Sequence, residues 1–136
     1  MDSRLRPRRR ILVVDDDASI REVTQVSLEM VGGHAVMTAA CGRDALAQAS
    51  RERPDAILLD VMMPGLDGPA TFERLQAEPT TRDIPVILLT AKLQSSDRAR
   101  FVALGVRAVL SKPFDPMSLP GEVAEILGWN QASDGV

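Results

Sequence analysis

Cysteine and histidine occur once each, as Cys41 and His34. An internal disulfide and a Cys/His zinc cluster are both excluded on that count. A lone thiol suits a reducing compartment. No apolar run approaches the ~20 residues that span a bilayer. After the opening arginines only Ile11 to Val14 are apolar before Asp15, Asp16 and Asp17 intervene. An export signal needs an apolar stretch of about 7–15 residues. The chain therefore reads as cytoplasmic, with no membrane contact. Linkers, repeats and low-complexity segments are also missing, and 136 residues suit one domain. Basic charge is scarce outside the N-terminus. Arg4, Arg6, Arg8, Arg9 and Arg10 stand in the first ten residues, which leaves 11 basic against 18 acidic side chains over residues 11–136. So acidic a body lacks the basic face that a phosphate backbone requires, and direct DNA binding is not expected. Residues 1–9 are expected to form a solvated, disordered basic tail, 10–128 the folded domain and 129–136 a short C-terminal tail.

What the chain does have is an alternation of short apolar runs with longer amphipathic stretches. The runs are Ile11–Val14, Ala35–Thr38, Ala56–Leu59, Val86–Leu89 and Val106–Leu110. Short runs rich in Val, Ile and Leu are the pattern of strands buried on both faces. Helices are predicted at 18–31, 42–50, 68–77, 95–104 and 116–127. Gly32-Gly33, Pro54, Pro79 and Gly105 mark their ends. In the first helix Ile20, Val23, Val26 and Met30 form a stripe at helical spacing. Leu119, Val123, Ile126 and Leu127 do so in the last. Five strands alternating with five helices predict an α/β fold, a doubly wound five-stranded parallel sheet of (βα)5 type in the flavodoxin-like order 2-1-3-4-5. Ligands of such sheets bind beyond the carboxyl ends of the strands, at the switch point between strands 1 and 3.

The predicted strand ends carry the candidate chemistry. Strand 1 runs into Asp15, Asp16 and Asp17, and strand 3 into Asp60. Strand 4 runs into Thr90 and Ala91, and strand 5 is followed by Ser111, Lys112 and Pro113. Carboxylates gathered at one edge repel one another and call for a cation. Oxygen ligands select a hard one, and Mg²⁺ takes one or two carboxylates plus water and phosphate oxygens. A hydroxyl and an ammonium opposite them suit a second occupant with negative oxygens, a phosphoryl group. Any one of these residues alone fits a helix cap or a solvated lysine. Their conjunction at four strand ends does not. Asp17 is expected to cap the first helix and Asp67-Gly68 to open the third.

The strings ILVVDDD, ILLDVMMPGLDG, VILLTA and LSKPF, in this order and spacing, resemble the signature of bacterial response-regulator receivers over about residues 10–128. The resemblance implies that Asp60 is the phospho-acceptor, in a Mg²⁺- (or Mn²⁺-) dependent reaction. It implies that Asp16 and Asp60 bind the metal directly, Asp15 through water and Met62 by its backbone carbonyl. Thr90 is implied as the switch hydroxyl and Lys112 as the lysine that meets the phosphoryl group. Backbone N–H groups of Met62 and Ala91 hold its oxygens, and a cis bond precedes Pro113. Val109 occupies a position where many members carry Tyr or Phe, so a rotating-ring mechanism is not expected. Met62 and Lys92 stand at positions that tune the lifetime of the phosphorylated form.

The partners implied are a sensor histidine kinase or phosphotransfer protein, and a downstream protein. The downstream protein is expected on the face formed by the fourth helix, fifth strand and fifth helix, where Lys92, Arg98, Arg100 and Arg107 supply positive charge. Only Gly128 to Val136 follow the last predicted helix, so the output is expected on another chain, as in a stand-alone, single-domain receiver. The protein is expected to be a signalling switch that takes part in its own phosphorylation and dephosphorylation, not an enzyme of turnover. A haloacid-dehalogenase-like phosphatase is the first alternative, because Asp15 and Asp17 have its Asp-x-Asp spacing, although Ser19 stands where Thr or Val is wanted. A flavodoxin is a second, but three aspartates would repel its phosphate. A degenerate receiver that docks unphosphorylated is a third. His34 is expected at the surface away from the site, and Trp129 in a local packing contact.

Overall fold

The apolar runs become the strands of one parallel sheet. The computed structural model of the protein describes residues 8–91 and 95–129. The strands are β1 (Arg10–Val14), β2 (Ala35–Ala39), β3 (Ala56–Asp60), β4 (Val86–Thr90) and β5 (Ala108–Ser111), in the order β2-β1-β3-β4-β5. The helices are α1 (Ala18–Val26), α2 (Gly42–Glu52), α3 (Gly68–Ala77), α4 (Ser95–Leu104) and α5 (Leu119–Leu127). This is the (βα)5 doubly wound fold that the alternation predicts.

Side chains alternate across a strand, and both faces are covered. Leu12, Val14, Ile57, Leu59 and Leu88 meet Ala45, Ala49, Phe72, Leu75 and Phe101 from α2, α3 and α4. Ile11, Val13, Leu58, Ile87 and Leu89 meet Leu119 and Val123 of α5 and Leu28, just past α1. Each such Leu or Ile, fully buried, contributes about 1.5–3 kcal/mol. That is why the strands read as unbroken apolar runs.

The first helix departs from its sequence pattern. α1 continues into a π-helical stretch, Ser27–Val31. The expected core stripe largely faces out, with Val23 45%, Val26 49% and Met30 80% exposed. Thr24, Ser27 and Leu28 are buried instead. The two hydroxyls tolerate burial because each has a carbonyl acceptor: Thr24 Oγ1 donates to Ile20 O at 2.7 Å and Ser27 Oγ to Pro116 O at 2.5 Å. The last helix starts later than expected. Asp115 caps a turn through Met117 N–H (2.9 Å) and Ser118 N–H (3.0 Å), and α5 begins at Leu119 with Leu119 and Val123 buried as predicted.

Candidate functional site

Strand register brings the candidate residues together. Val14 of β1 pairs with Leu59 of β3. The next residues, Asp15 and Asp60, therefore emerge side by side at the carboxyl edge. Asp60 is opposite Leu89, so Thr90 ends β4 one step beyond it. Lys112 N–H donates to Thr90 O at 2.8 Å and brings the residue after β5 to the same edge. Asp15, Asp16 and Asp60 each present a carboxylate oxygen within 4.8 Å of the others. Asp15, Asp60 and Thr90 are buried, and Asp16 is exposed. Lys112 Nζ lies 3.1 Å from Asp15 Oδ2 and 3.0 Å from Asp60 Oδ1, with its side chain 11% exposed. The Lys112–Pro113 peptide bond is cis.

Local structure fixes each loop. Asp17 caps α1, accepting from Ser19 N–H (2.9 Å) and Ile20 N–H (3.2 Å). The Ile20 N–H bond first, and then the Ser19 hydroxyl, which donates to Asp17 Oδ1 at 3.0 Å, hold its carboxyl below the ordinary carboxylate value. Asp15 Oδ1 accepts the Asp17 N–H at 2.9 Å, and Arg21 Nη1 donates to Asp15 O at 2.6 Å. Arg21 thus positions the Asp15 backbone, which the sequence reading missed. Its signal was slight, a cation one turn into a capped helix. Asp67 caps α3 through Ala70 N–H at 2.9 Å. Gly68 N–H donates to Val61 O at 2.9 Å. A Cβ on Gly68 would lie 2.5 Å from Asp60 O and 2.8 Å from Val61 Cα. The loop after Asp60 therefore folds back onto the Asp60 backbone at a residue without a side chain.

The charges are tuned by burial and by one another. Burial pushes the Asp60 carboxyl above its ordinary value, against the Lys112 hydrogen bond, and Asp15 and Asp16 add repulsion. Burial works against the Lys112 charge as well, but Asp60 and Asp15 outweigh it and hold the ammonium above its ordinary pKa. Among the described residues, three carboxylates gather beside the Lys112 ammonium, with the Arg21 guanidinium on the Asp15 carbonyl. The all-oxygen donor set fits a hard divalent cation such as Mg²⁺ or Mn²⁺. Met62 is 73% exposed and Val109 fully buried. Lys92 lies outside the described residues.

Residues 11–124 match the family model of the response regulator receiver domain. The chain belongs to the response-regulator receiver family. It is 40% identical over 118 residues to the probable transcriptional regulator ycf27 of Porphyridium aerugineum, covering 87% of this chain and 48% of that protein. It is 44% identical over 119 residues to the response regulator PleD of Caulobacter vibrioides, covering 86% of this chain and 26% of PleD. The receiver thus spans about half or less of these relatives. The solved structure of the Vibrio cholerae chemotaxis protein CheY4 superposes with a TM-score of 0.81 at 32% identity, covering 88% of this chain and 98% of that one. The receiver domain of Francisella response regulator 1452 gives 0.80 at 28% identity, over 90% and 98%. A receiver is a signalling module, and no helix among the described residues is long and apolar enough to cross a membrane.

Proposed function

We propose that this receiver takes a phosphoryl group onto Asp60 from the phosphohistidine of a sensor kinase or phosphotransfer protein, and that the acyl phosphate changes its affinity for a partner protein. The observation that carries this reading is the buried Asp60 carboxylate, held between Lys112 and the carboxylates of Asp15 and Asp16. Asp16, Asp60 and the Met62 carbonyl would hold Mg²⁺ or Mn²⁺, with Asp15 acting through water. The cation would neutralise charge building on the transferred oxygens. An Asp60 oxygen attacks phosphorus as the P–N bond to the donor imidazole breaks, and the imidazole keeps that electron pair. Lys112 exchanges a carboxylate for a phosphoryl oxygen. The Met62 and Ala91 N–H groups and the Thr90 hydroxyl take the others. Thr90 then draws its loop toward the site and shifts the face of α4, β5 and α5. Met62 and Lys92 would set the lifetime, and water returns Asp60 to the free acid.

Intact mass after treatment with acetyl phosphate and Mg²⁺ tests this reading. Wild type is expected to gain one phosphoryl group and Asp60→Asn none. An equal gain in both overturns it.

The outward face of α1 supports a docking role for the donor. Ile20 and Val23 line a hollow of about 530 Å³ with Ser19, Ala91, Lys112, Pro113 and Phe114, at the mouth of the acceptor site. A donor imidazole that reaches Asp60 must cover this rim. Val23→Asp is expected to slow transfer from a phosphorylated kinase by about tenfold or more, the scale of a lost interface anchor. Phosphorylation by acetyl phosphate, which needs no docking, should be unchanged. Equal slowing with both donors would refute the docking role.

Arg98, Arg100 and Arg107 of the proposed positive output patch are exposed. Arg98 Nη1 donates to Val109 O at 2.8 Å, and Arg100 pairs with Asp97 at 3.3 Å. Direct DNA contact forms no part of this proposal, although the ycf27 relatives are named as transcriptional regulators. The phosphatase alternative is disfavoured because the Asp17 carboxylate is occupied as a helix cap. A cytoplasmic location and the absence of substrate turnover go with this reading.

A further inference from the structure

Three features that the phosphoryl site does not use meet at the opposite edge of the sheet. They are the single histidine, the single tryptophan and the inner end of the arginine-rich segment. The Arg9 N–H donates to His34 Nδ1 at 3.3 Å. The Arg9 guanidinium carbon stands 5.1 Å from the centroid of the Trp129 ring. His34 and Trp129 meet edge to face, with centroids 5.4 Å apart at 62°. These residues come from before β1, before β2 and after α5. At Gly128, with φ 75°, the chain turns out of α5, and Trp129 N–H closes the turn on Ala124 O at 2.8 Å. Trp129 packs, partly buried, against the core cluster that β1, β3, β4 and α5 form on this side of the sheet. Gly32 leaves room for this close approach, since a Cβ there would lie 2.8 Å from Leu28 O, 2.9 Å from His34 Cδ2 and 3.0 Å from Pro120 Cβ of α5.

We propose that this Arg9–His34–Trp129 contact is a pH-sensitive fastener, holding the C-terminal end of α5 to the sheet while His34 is neutral and releasing it when the imidazole is protonated. The geometry demands the neutral form. Nδ1 is an acceptor here, so a proton on it removes the acceptor of the Arg9 N–H. The new charge would sit half-buried beside two cations, Arg8 and Arg9, on the segment that leads into β1. Asp55, before β3, is the one acidic group acting on the ring among the described residues, and its Oδ2 is already engaged by the Arg10 N–H at 2.8 Å. Trp129 brings no charge from α5. Burial first, and then Arg9 and Arg8, push the His34 pKa below its ordinary value. The sign follows from linkage. A histidine with a depressed folded pKa binds its proton more readily when released, so the fastened state loses stability as pH falls through the window between the two pKa values. α5 belongs to the face assigned above to the output partner, but the fastener does not depend on that assignment or on Asp60.

With one tryptophan and one histidine, the full chain reports on itself. Trp129 emission is followed from about pH 8 to 5, across the range of histidine titration. Protection of the Trp129 amide against hydrogen exchange is measured alongside. Wild type is expected to show one step below the ordinary histidine pKa, with emission moving to longer wavelength and loss of Trp129 protection. In His34→Gln, whose side-chain oxygen accepts from Arg9 at every pH, both changes should disappear. Far-UV circular dichroism should stay constant through the step. A flat profile in wild type, a step that persists in His34→Gln, an emission change with protection intact, or a step shared with global unfolding would each overturn the proposal.

Discussion

Replacing Lys112 by methionine is expected to cost the metal-free protein about 3–5 kcal/mol at neutral pH, the range measured when one partner of a buried ion pair is removed. The Lys112 side chain is 11% exposed and those of Asp15 and Asp60 are 1% and 6% exposed, so water does little to replace the lost ammonium. Methionine fills a similar volume and leaves two buried carboxylates facing each other beside Asp16. Burial already raises the Asp60 pKa in wild type, and loss of the hydrogen bond that opposes this shift raises it further. An acid whose folded pKa exceeds its unfolded value is most stabilising when protonated, and that contribution is lost as pH rises through the folded pKa. The deficit of Lys112→Met should therefore be largest near neutral pH and shrink on acidification. Mg²⁺ should recover part of it, because the added stability grows as RT ln(1 + [L]/Kd) for a ligand of the folded state. Urea denaturation with and without Mg²⁺, at neutral and mildly acidic pH, measures both effects. In the double variant with Asp16→Asn the Mg²⁺ recovery should disappear. A Lys112→Met protein as stable as wild type at neutral pH without metal would show that the buried charge cluster is not as described.

That cluster was legible in the sequence because a doubly wound fold obeys a simple geometric rule. Strands buried on both faces write themselves as apolar runs, and parallel strands put the residue after each run at the same edge. Asp15, Asp16, Asp60, Thr90 and Lys112 each follow or end such a run, and the structure brings them to one edge. What was not legible depends on contacts that have no period. The outward Val23, Val26 and Met30 form as good a helical stripe as a core face would. What decides the matter is that Thr24 and Ser27 bury hydroxyls whose acceptors are backbone carbonyls, one of them on Pro116, 89 residues away from Ser27. Arg98 reads as a free surface cation until β5 supplies the Val109 carbonyl beneath it. Arg9, His34 and Trp129 share no motif, and only the closing of the sheet and the turn at Gly128 unite them.

Gly68 is the clearest case of a residue whose sequence context shows half its role. Behind Asp67 it reads as the opening of α3, a place where many residues would serve. In the structure its α-carbon lies against the backbone of the proposed acceptor. The atoms nearest an added methyl are Asp60 O at 2.5 Å and Val61 Cα at 2.8 Å. Neither can rotate aside as a side-chain tip could. Gly68→Ala must therefore move either the start of α3 or the Asp60 peptide, at the roughly 1–3 kcal/mol typical of overpacking. Under the proposed function, that shift falls on the group that presents its carboxylate to phosphorus. Misplacement on the order of 1 Å costs about a hundredfold in rate where reaction depends on alignment. Gly68→Ala is thus expected to be phosphorylated by acetyl phosphate far more slowly than wild type, with its urea midpoint lowered. Gly121→Ala supplies the contrast. Nothing lies within 4 Å of a Cβ at Gly121, which sits in α5. Alanine there should leave the phosphorylation rate unchanged and stabilise the fold by up to about 1 kcal/mol through helix propensity. If Gly68→Ala matched wild type in both stability and rate, the close approach of the loop to the Asp60 backbone would have to be discarded. A loss of stability with an unchanged rate would retain the packing role and remove Gly68 from the positioning of Asp60.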